Sequence, residues 1–411
     1  MKNTLRLSIL LIMIFNISYK TQAQTSSEMI VYNDYFNFTS NSVLNSVLKK
    51  MNINEIKEAG SQFITFDSYL PYNIETDKYG LFPIDSIEVF NTQIKSNPNT
   101  EGYDIRFSDF DKLDKLFKEL ARNGKVKSIR LNIHFIDTLP NSLYSIESLE
   151  NIEFWTSKLK YISPDIKNFK KLERLRIHEA QELVNIPKEI GELSNLRILE
   201  IDEGNYYGSV KRDLTPIGQL EKLEYLRLHN FPIIIPSNFI NLRKIKLVEI
   251  YNHFQWYDIN LTNLYRNDKI MSLMLTGVAE EDLIGLENLS SLEEIYIGRR
   301  TSLEVFKHLS KIDNLTKLQL TTDYDAIPAN ISDCKNLMLL IFRNCEVVKE
   351  LPTELNNLSN LKIIVLKNNF ELEVSNIDLS KLPDDLIVFT NRNTKMKDIK
   401  DIEHRVIINN W

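Results

Sequence analysis

The residues of this chain best suited to chemistry are histidines, arginines and aromatics, and two histidines sit in near-identical settings, Arg174-Leu175-Arg176-Ile177-His178 and Tyr225-Leu226-Arg227-Leu228-His229. A histidine can bind a metal, move a proton or take part in polar recognition. Zinc-type binding needs three or four ligands converging on one point. None of His134, His178, His229, His253, His308 and His404 stands at ligand spacing from another His or Cys, so no metal is expected. There is no Gly-x-Ser-x-Gly elbow, no P-loop and no Cys-His pairing, which leaves nucleophilic catalysis without a candidate. Glu153, Glu200 and Glu249 are each matched by an arginine in a neighbouring segment, and a guanidinium keeps a carboxylate ionised, a poor state for a general acid. What remains is recognition, with no enzymatic activity and no cofactor expected.

The elements that must position these residues repeat. From residue 126 onward one template recurs, an apolar residue, two others, an apolar, one other, an apolar, starting at Val126, Leu149, Leu172, Leu196, Leu223, Ile245, Ile270, Leu292, Leu315, Leu337, Leu361 and, in weaker form, Pro383. Successive starts lie 22 to 27 residues apart, a period steady enough to mean a stack of like units. Ahead of many copies stands a second template, Leu139-Pro140 with Leu143, Ile186-Pro187 with Ile190, and Leu351-Pro352 with Leu355. An isolated copy at Ile84, Ile87, Val89 and Asn91 reads as the first strand, separated from the rest by an insertion over 92–125.

These templates resemble the leucine-rich repeat family, in its 22- to 24-residue form with a Leu-Pro step, over residues 84–391. The resemblance implies an α/β solenoid of about 12–13 repeats, a curved right-handed horseshoe with a parallel β-sheet on its concave face. It also implies an asparagine after each strand, retained here as Asn230, Asn252, Asn344 and Asn368 and missing after Ile177, Ile201 and Ile297. Because side chains alternate along a strand, the template leucines and isoleucines point inward and the residues between them point out. Each unit leaves its flanks apolar until a neighbour stacks on them, so the ends need caps. Ser108 to Arg122, with Phe110, Leu113, Leu116, Phe117 and Leu120 on one face, is a capping helix that Ser108 can start and Gly124 can end; Ser42 to Met51 has the same pattern. Residues 24–83 are therefore expected to form an N-terminal cap and 392–411 a C-terminal cap or tail.

In this register the outward residues form columns across the sheet. The central one runs Glu88, Arg130, Glu153, Arg176, Glu200, Arg227, Glu249, then Met274, Tyr296, Gln319, Ile341, Val365 and Ile387, so that opposite charges alternate over seven strands and then stop. Flanking columns add Arg174 and Tyr225 on one side and Trp155, His178, His229 and Tyr251 on the other. Arginine and aromatic side chains grouped on a rigid surface are the usual anchors of protein interfaces. Trp155, Arg174, Arg176, His178, Tyr225, Arg227, His229 and Tyr251, with Trp256 from an enlarged loop, are therefore the expected contact residues for an unidentified protein partner. A glycan bound by the loop aromatics Tyr206, Tyr207, Trp256 and Tyr257 is the alternative.

Further along, Leu339, Ile341, Ile363, Val365, Ile387 and Phe389 would form an outward apolar patch, and such a patch is rarely left wet. The tail, with Ile399, Ile402, Val406, Ile407, Ile408 and Trp411, is expected to fold back as its lid or cap; a second copy of the chain, making a homodimer, or a foreign partner is the other candidate. Cys334 and Cys345 flank one strand and are expected to be unpaired.

Composition narrows the partners. Lys plus Arg is 50 against 56 Asp plus Glu, which leaves no basic footprint for nucleic acid. Lys2 and Arg6, the apolar run Leu7 to Ser18 and the small residues of Thr21-Gln22-Ala23 read as a signal peptide over 1–23, similar to those of secreted Bacteroidetes proteins. The run is too short to span a bilayer, so the product is expected to be secreted, periplasmic or on the cell surface, without a membrane span.

Overall fold

Alternating apolar residues make each repeat a short strand, and stacking strands side by side is the only way to bury both flanks of every unit. In the computed structural model the residues described are 81–84, 99–184, 186–203, 211–252, 259–345, 347–367, 369, 382–384, 386–391 and 406–409. The chain divides into two units, 1–78 and 79–411, and everything described lies in the second. The signal peptide, the Ser42–Met51 helix and nearly all of the expected N-terminal cap fall outside the described residues.

The strands are β1 Leu81–Ile84, β2 Gly102–Ile105, β3 Ser128–Asn132, β4 Asn151–Trp155, β5 Arg174–His178, β6 Ile198–Asp202, β7 Tyr225–His229, β8 Ile233–Ile234, β9 Leu247–Tyr251, β10 Ile259–Asn260, β11 Ser272–Thr276, β12 Glu294–Ile297, β13 Lys317–Leu320, β14 Leu339–Arg343, β15 Ile363–Lys367, β16 Ile387–Asn391 and β17 Val406–Asn409. All but β8 and β10 form one parallel sheet in chain order, and those two pair separately. This is an α/β leucine-rich repeat solenoid. The core is one continuous row of Leu, Ile and Phe, among them Ile129, Phe154, Ile177, Leu228 and Ile250, all fully buried. Among the described residues the return path of most repeats is a short 3-10 segment, replaced between β12 and β13 by the short helix Val305–Leu309, and an apolar-Pro step marks the start of several. Pro140, Pro187, Pro236, Pro328 and Pro352 cap five such segments with φ between −57° and −73°, the value the pyrrolidine ring imposes.

The ends differ from expectation. The first described strand is Leu81–Ile84, and the expected Ile84–Asn91 copy lies outside the described residues beyond Ile84. The 92–125 stretch is not a plain insertion: β2 within it joins the sheet between β1 and β3. Gly102-Tyr103-Asp104-Ile105 is too short to show the template, but Tyr103 and Ile105 bury as the template residues do. The capping helix, α1 Phe110–Asn123, starts one residue later than expected: Asp109, not Ser108, accepts the Lys112 N–H at 3.0 Å, and Gly124 ends the helix in the left-handed region. At the C-terminal end Val365 pairs with Phe389 and Ile363 with Ile387, a slip of two residues that leaves the same side chains on the same face. The tail does not double back here; Val406–Asn409 adds a last parallel strand beside β16.

After several strands the backbone turns through positive φ, at Glu179, Asn230, Gly277 and Asn344. At Gly277 a Cβ would run into the Asn252 carbonyl, whereas at Gly124 there is open space. Gly277→Ala is expected to cost about 2–4 kcal/mol in denaturant unfolding, and Gly124→Ala about 1 kcal/mol. The expected Asn368 lies outside the described residues; beside it, Asn369 accepts the Cys345 N–H at 2.9 Å and donates to the Phe342 carbonyl at 2.9 Å. Cys334 and Cys345 are both free and buried.

Candidate recognition face

Seven consecutive strands carry one alternating charge on the sheet face, in the pairing Asp104, Arg130, Glu153, Arg176, Glu200, Arg227, Glu249. Asp104 takes the place expected for Glu88, which lies outside the described residues. Arg130 Nε donates to Glu153 at 2.8 Å, and Arg176 Nε donates to Glu200 at 2.8 Å. Arg227 lies 3.5 Å from Glu249 and 3.7 Å from Glu200, and its Nε donates to His229 Nε2 at 2.8 Å. Asp104 instead accepts from Arg106 of its own repeat at 2.8 Å.

These groups are far less open than outward side chains of a sheet were expected to be. Arg174, Arg176, His178, Tyr225 and His229 are between 1 and 7% exposed, and Glu200 is fully buried. Electrostatics follow from this burial. Burial opposes ionisation of Glu153, but Arg130 and Arg176 overcome it and hold its carboxyl below the usual range. Burial pushes Glu200 up, with Glu249 and Asp202 adding to the rise and Arg227 working against it. Burial also lowers Arg174 to about 9 and Arg176 to about 10. His178 and His229 are both lowered to about 4, by burial first and by the nearby Arg227, so both rings are neutral at neutral pH.

The more accessible part of the face is the next column. Trp155 stacks on His178 with centroids 4.4 Å apart, and His229 stacks on Tyr251 at 4.8 Å. Trp155 and Tyr251 are the half-exposed outer members of the two pairs. Between the pairs, on β6, stands Asp202, which pairs with His229 in register and keeps a side chain 23% exposed. Asp202 belongs to the same column as Trp155, His178, His229 and Tyr251, one strand from each histidine, although its residue type does not single it out. The chain thus brings together all the expected contact residues except Trp256, which lies outside the described residues, as do Tyr206, Tyr207 and Tyr257.

Two further buried ionic features were not apparent from residue type. Glu203 and Arg212 pair at the two ends of the segment 204–210, which is itself outside the described residues. The Arg212 guanidinium also donates to the Leu183 carbonyl at 2.5 Å and lies over the Phe231 ring, 5.3 Å from its centroid. On β12 and β13, fully buried Glu294 pairs in register with Lys317. Burial raises the Glu294 carboxyl to about 7 against the pull of Lys317, and burial lowers Lys317.

Of the apolar residues expected to need a cover, the four whose side chains are described are not wet, while the side chains of Ile387 and Phe389 are not among those described. Leu339, Ile341, Ile363 and Val365 are 1–8% exposed, which removes the motive for a second copy seated on them. Among the described residues no three His, Cys, Asp or Glu side chains are grouped to hold a metal, and no helix is long and apolar enough to cross a membrane.

No protein-family model matches the chain. It is similar to Protein SUPPRESSOR OF npr1-1, CONSTITUTIVE 1 of Arabidopsis thaliana, 29% identical over 247 residues that make up 59% of this chain and 16% of that protein. It is also similar to Disease resistance protein RPP4 of Arabidopsis thaliana, 26% identical over 297 residues, 70% of this chain and 22% of that protein. The chain therefore spans less than a quarter of the length of either relative. Among solved structures it is similar to an internalin (inlF) of Listeria monocytogenes, with a TM-score of 0.39 and 17% identity over 67% of this chain and 84% of that one.

Proposed function

We propose that this protein is a secreted, non-enzymatic recognition module that binds a protein partner on the concave sheet face between β4 and β9. One observation carries the reading: two stacked aromatic pairs, Trp155 on His178 and Tyr251 on His229, stand in the column beside a largely buried ladder of charge pairs on the same five adjacent strands. A surface of that kind is rigid before the partner arrives, so little side-chain entropy is lost on binding. Trp155 and Tyr251 supply the accessible contact area; Arg174, Arg176 and Tyr225, buried in the neighbouring columns, hold the face in shape.

The experiment is a quantitative affinity capture from extracts of neighbouring cells, with wild type and Trp155→Ala/Tyr251→Ala side by side. At least one protein held by wild type is expected to fall tenfold or more on the variant, with the thermal midpoint little changed. Equal capture of every bound protein by both would remove the assignment of this face.

A further inference from the structure

From β3 to β7 the residue immediately ahead of each strand faces an opposite charge on a neighbouring repeat. Lys127 lies 3.3 Å from Glu150, and Arg197 lies 3.9 Å from Glu173 and donates to Glu224 at 3.0 Å and 3.2 Å. Past β7 this pairing stops. Lys246 stands ahead of β9 and Met271 ahead of β11, and lysine fills the place three residues ahead of β7, β9 and β11, as Lys222, Lys244 and Lys269. The three strands are paired neighbours in register, Tyr225 to Leu247 to Ser272, so these lysines follow one another at about the 4.8 Å strand spacing.

Arg243 and Arg266 add to the row, and all six basic residues are exposed. Among the described residues Arg243, Lys244, Lys246 and Arg266 take part in no ion pair, while Lys222 donates to the Asn195 side chain at 2.7 Å and Lys269 lies 3.2 Å from Asp268. The segments that carry them, 219–224, 240–246 and 264–271, hold only Glu221 and Asp268 as acids besides Glu224, which Arg197 engages. Like charges side by side on neighbouring strands oppose folding, and the core gains nothing from them. Within a Debye length of about 10 Å they do build a local positive potential, on a chain whose net charge is -6.

The neighbouring groups select what that potential attracts. The one aromatic residue of the three segments, Tyr265, is fully buried, so no ring is offered for a base to stack on. Ile240, three residues ahead of Arg243, is 51% exposed and sets an apolar contact beside the cations. Carboxylates with an apolar neighbour are what an acidic peptide supplies and a nucleic acid does not.

We infer that the edge of the sheet ahead of β7, β9 and β11 binds an acidic segment of a protein partner, a stretch of Asp and Glu with an apolar residue that packs on Ile240. This surface shares no residue with the recognition face proposed above and is tested apart from it. Ammonium groups on flexible stems meet carboxylates as point charges, so the attraction weakens with salt and tolerates changes in the order of the acids.

The test follows the anisotropy of two labelled dodecapeptides, one of repeated Asp-Glu-Leu and one of repeated Asn-Gln-Leu, on titration with the full-length protein. The acidic peptide is expected to bind, more weakly as salt rises, and the neutral one not to bind. Arg243→Glu/Lys244→Glu/Lys246→Glu is expected to weaken the acidic peptide at least tenfold, the milder Arg243→Gln/Lys244→Gln/Lys246→Gln at least threefold, and Ile240→Ser at least threefold, each with a thermal midpoint close to wild type. Lys115→Glu/Arg122→Glu/Lys125→Glu changes the net charge equally at α1 and is expected to bind as wild type does, as is Trp155→Ala/Tyr251→Ala. Absence of binding by wild type, equal losses in the two glutamate variants, or a loss confined to the aromatic variant would overturn the inference. So would heparin or a single-stranded oligonucleotide that competes for the same edge and binds Ile240→Ser as tightly as wild type while the acidic peptide also ignores that change.

Discussion

Arg176→Met is expected to lower stability by about 3–5 kcal/mol, as a large downward shift of the denaturant midpoint, because it removes the nearest described cation from a buried carboxylate and leaves Arg227, 3.7 Å away, to hold it. Arg176 is 1% exposed and Glu200 fully buried, and their 2.8 Å contact is the innermost rung of the charge ladder. Water cannot replace a lost partner there. Glu200→Met alone should cost a similar amount, since it leaves the Arg176 guanidinium buried beside Arg227. The double variant Arg176→Met/Glu200→Met should lie within about 1–2 kcal/mol of wild type, because two apolar side chains of matching length refill the space without a desolvated charge. The excess of the summed single losses over the double loss is the coupling energy, and a value of about 2 kcal/mol or more is expected. At the outer rung Arg130 is 31% exposed, so Arg130→Met should cost under about 1 kcal/mol.

The second large effect is the loss of stability in acid. His178 and His229 titrate near 4 in the folded chain against an ordinary 6.5, because burial and Arg227 disfavour the charged ring. A depressed folded value means that the contribution is complete above about pH 6.5 and is lost as pH falls through about 4. At 1.36 kcal/mol per unit, each histidine accounts for about 3 kcal/mol, with less than twice that for both because each ring feels the other's charge. Glu294 runs the other way. Its folded value near 7 lies above the ordinary 4.5, so its contribution is complete below about pH 4.5 and is lost as pH rises through 7. Comparing wild type with His178→Phe/His229→Phe isolates the histidines, since the phenyl rings keep the stacks and Glu294 is common to both. The difference in unfolding free energy between pH 7 and pH 4 should shrink by several kcal/mol in the variant. An identical pH profile would mean that the rings are not held neutral by the fold.

Most of the sheet was legible because its two periods are strict. A spacing of 22 to 27 residues sets which strands are neighbours, and alternation within each strand sets which side chains share a face. The column from Arg130 to Val365 therefore follows from residue spacing and agrees with the pairing throughout. The ends were less legible. At β2 the strand is four residues long, and the cue that could have placed Asp104 is an acid between two template apolars, as in Ile152-Glu153-Phe154 and Leu199-Glu200-Ile201. At β16 a slip of two residues leaves the alternation unchanged, so no pattern of faces could reveal it.

Burial is the property that spacing could not supply. Residue type marks Arg174, Arg176 and Tyr225 as interface anchors, yet in the fold they are only 1–6% exposed. Whether an outward arginine is a contact or a brace depends on how far the side chains of the adjacent strands reach across it. Asp202 shows the converse. Its type is unremarkable for a strand end, and only the pairing shows that it stands on the strand between two stacked pairs.

The most direct measurement of the central claim is hydroxyl-radical footprinting of the protein, alone and in complex with the partner recovered by capture. Tryptophan and tyrosine side chains report their own solvent contact in such an experiment. Oxidation of Trp155 and Tyr251 is expected to fall severalfold in the complex, while Phe135, 86% exposed and off the recognition face, keeps its rate. Unchanged oxidation of Trp155 and Tyr251, with protection at Phe135 or along the 3-10 segments instead, would contradict recognition through this face.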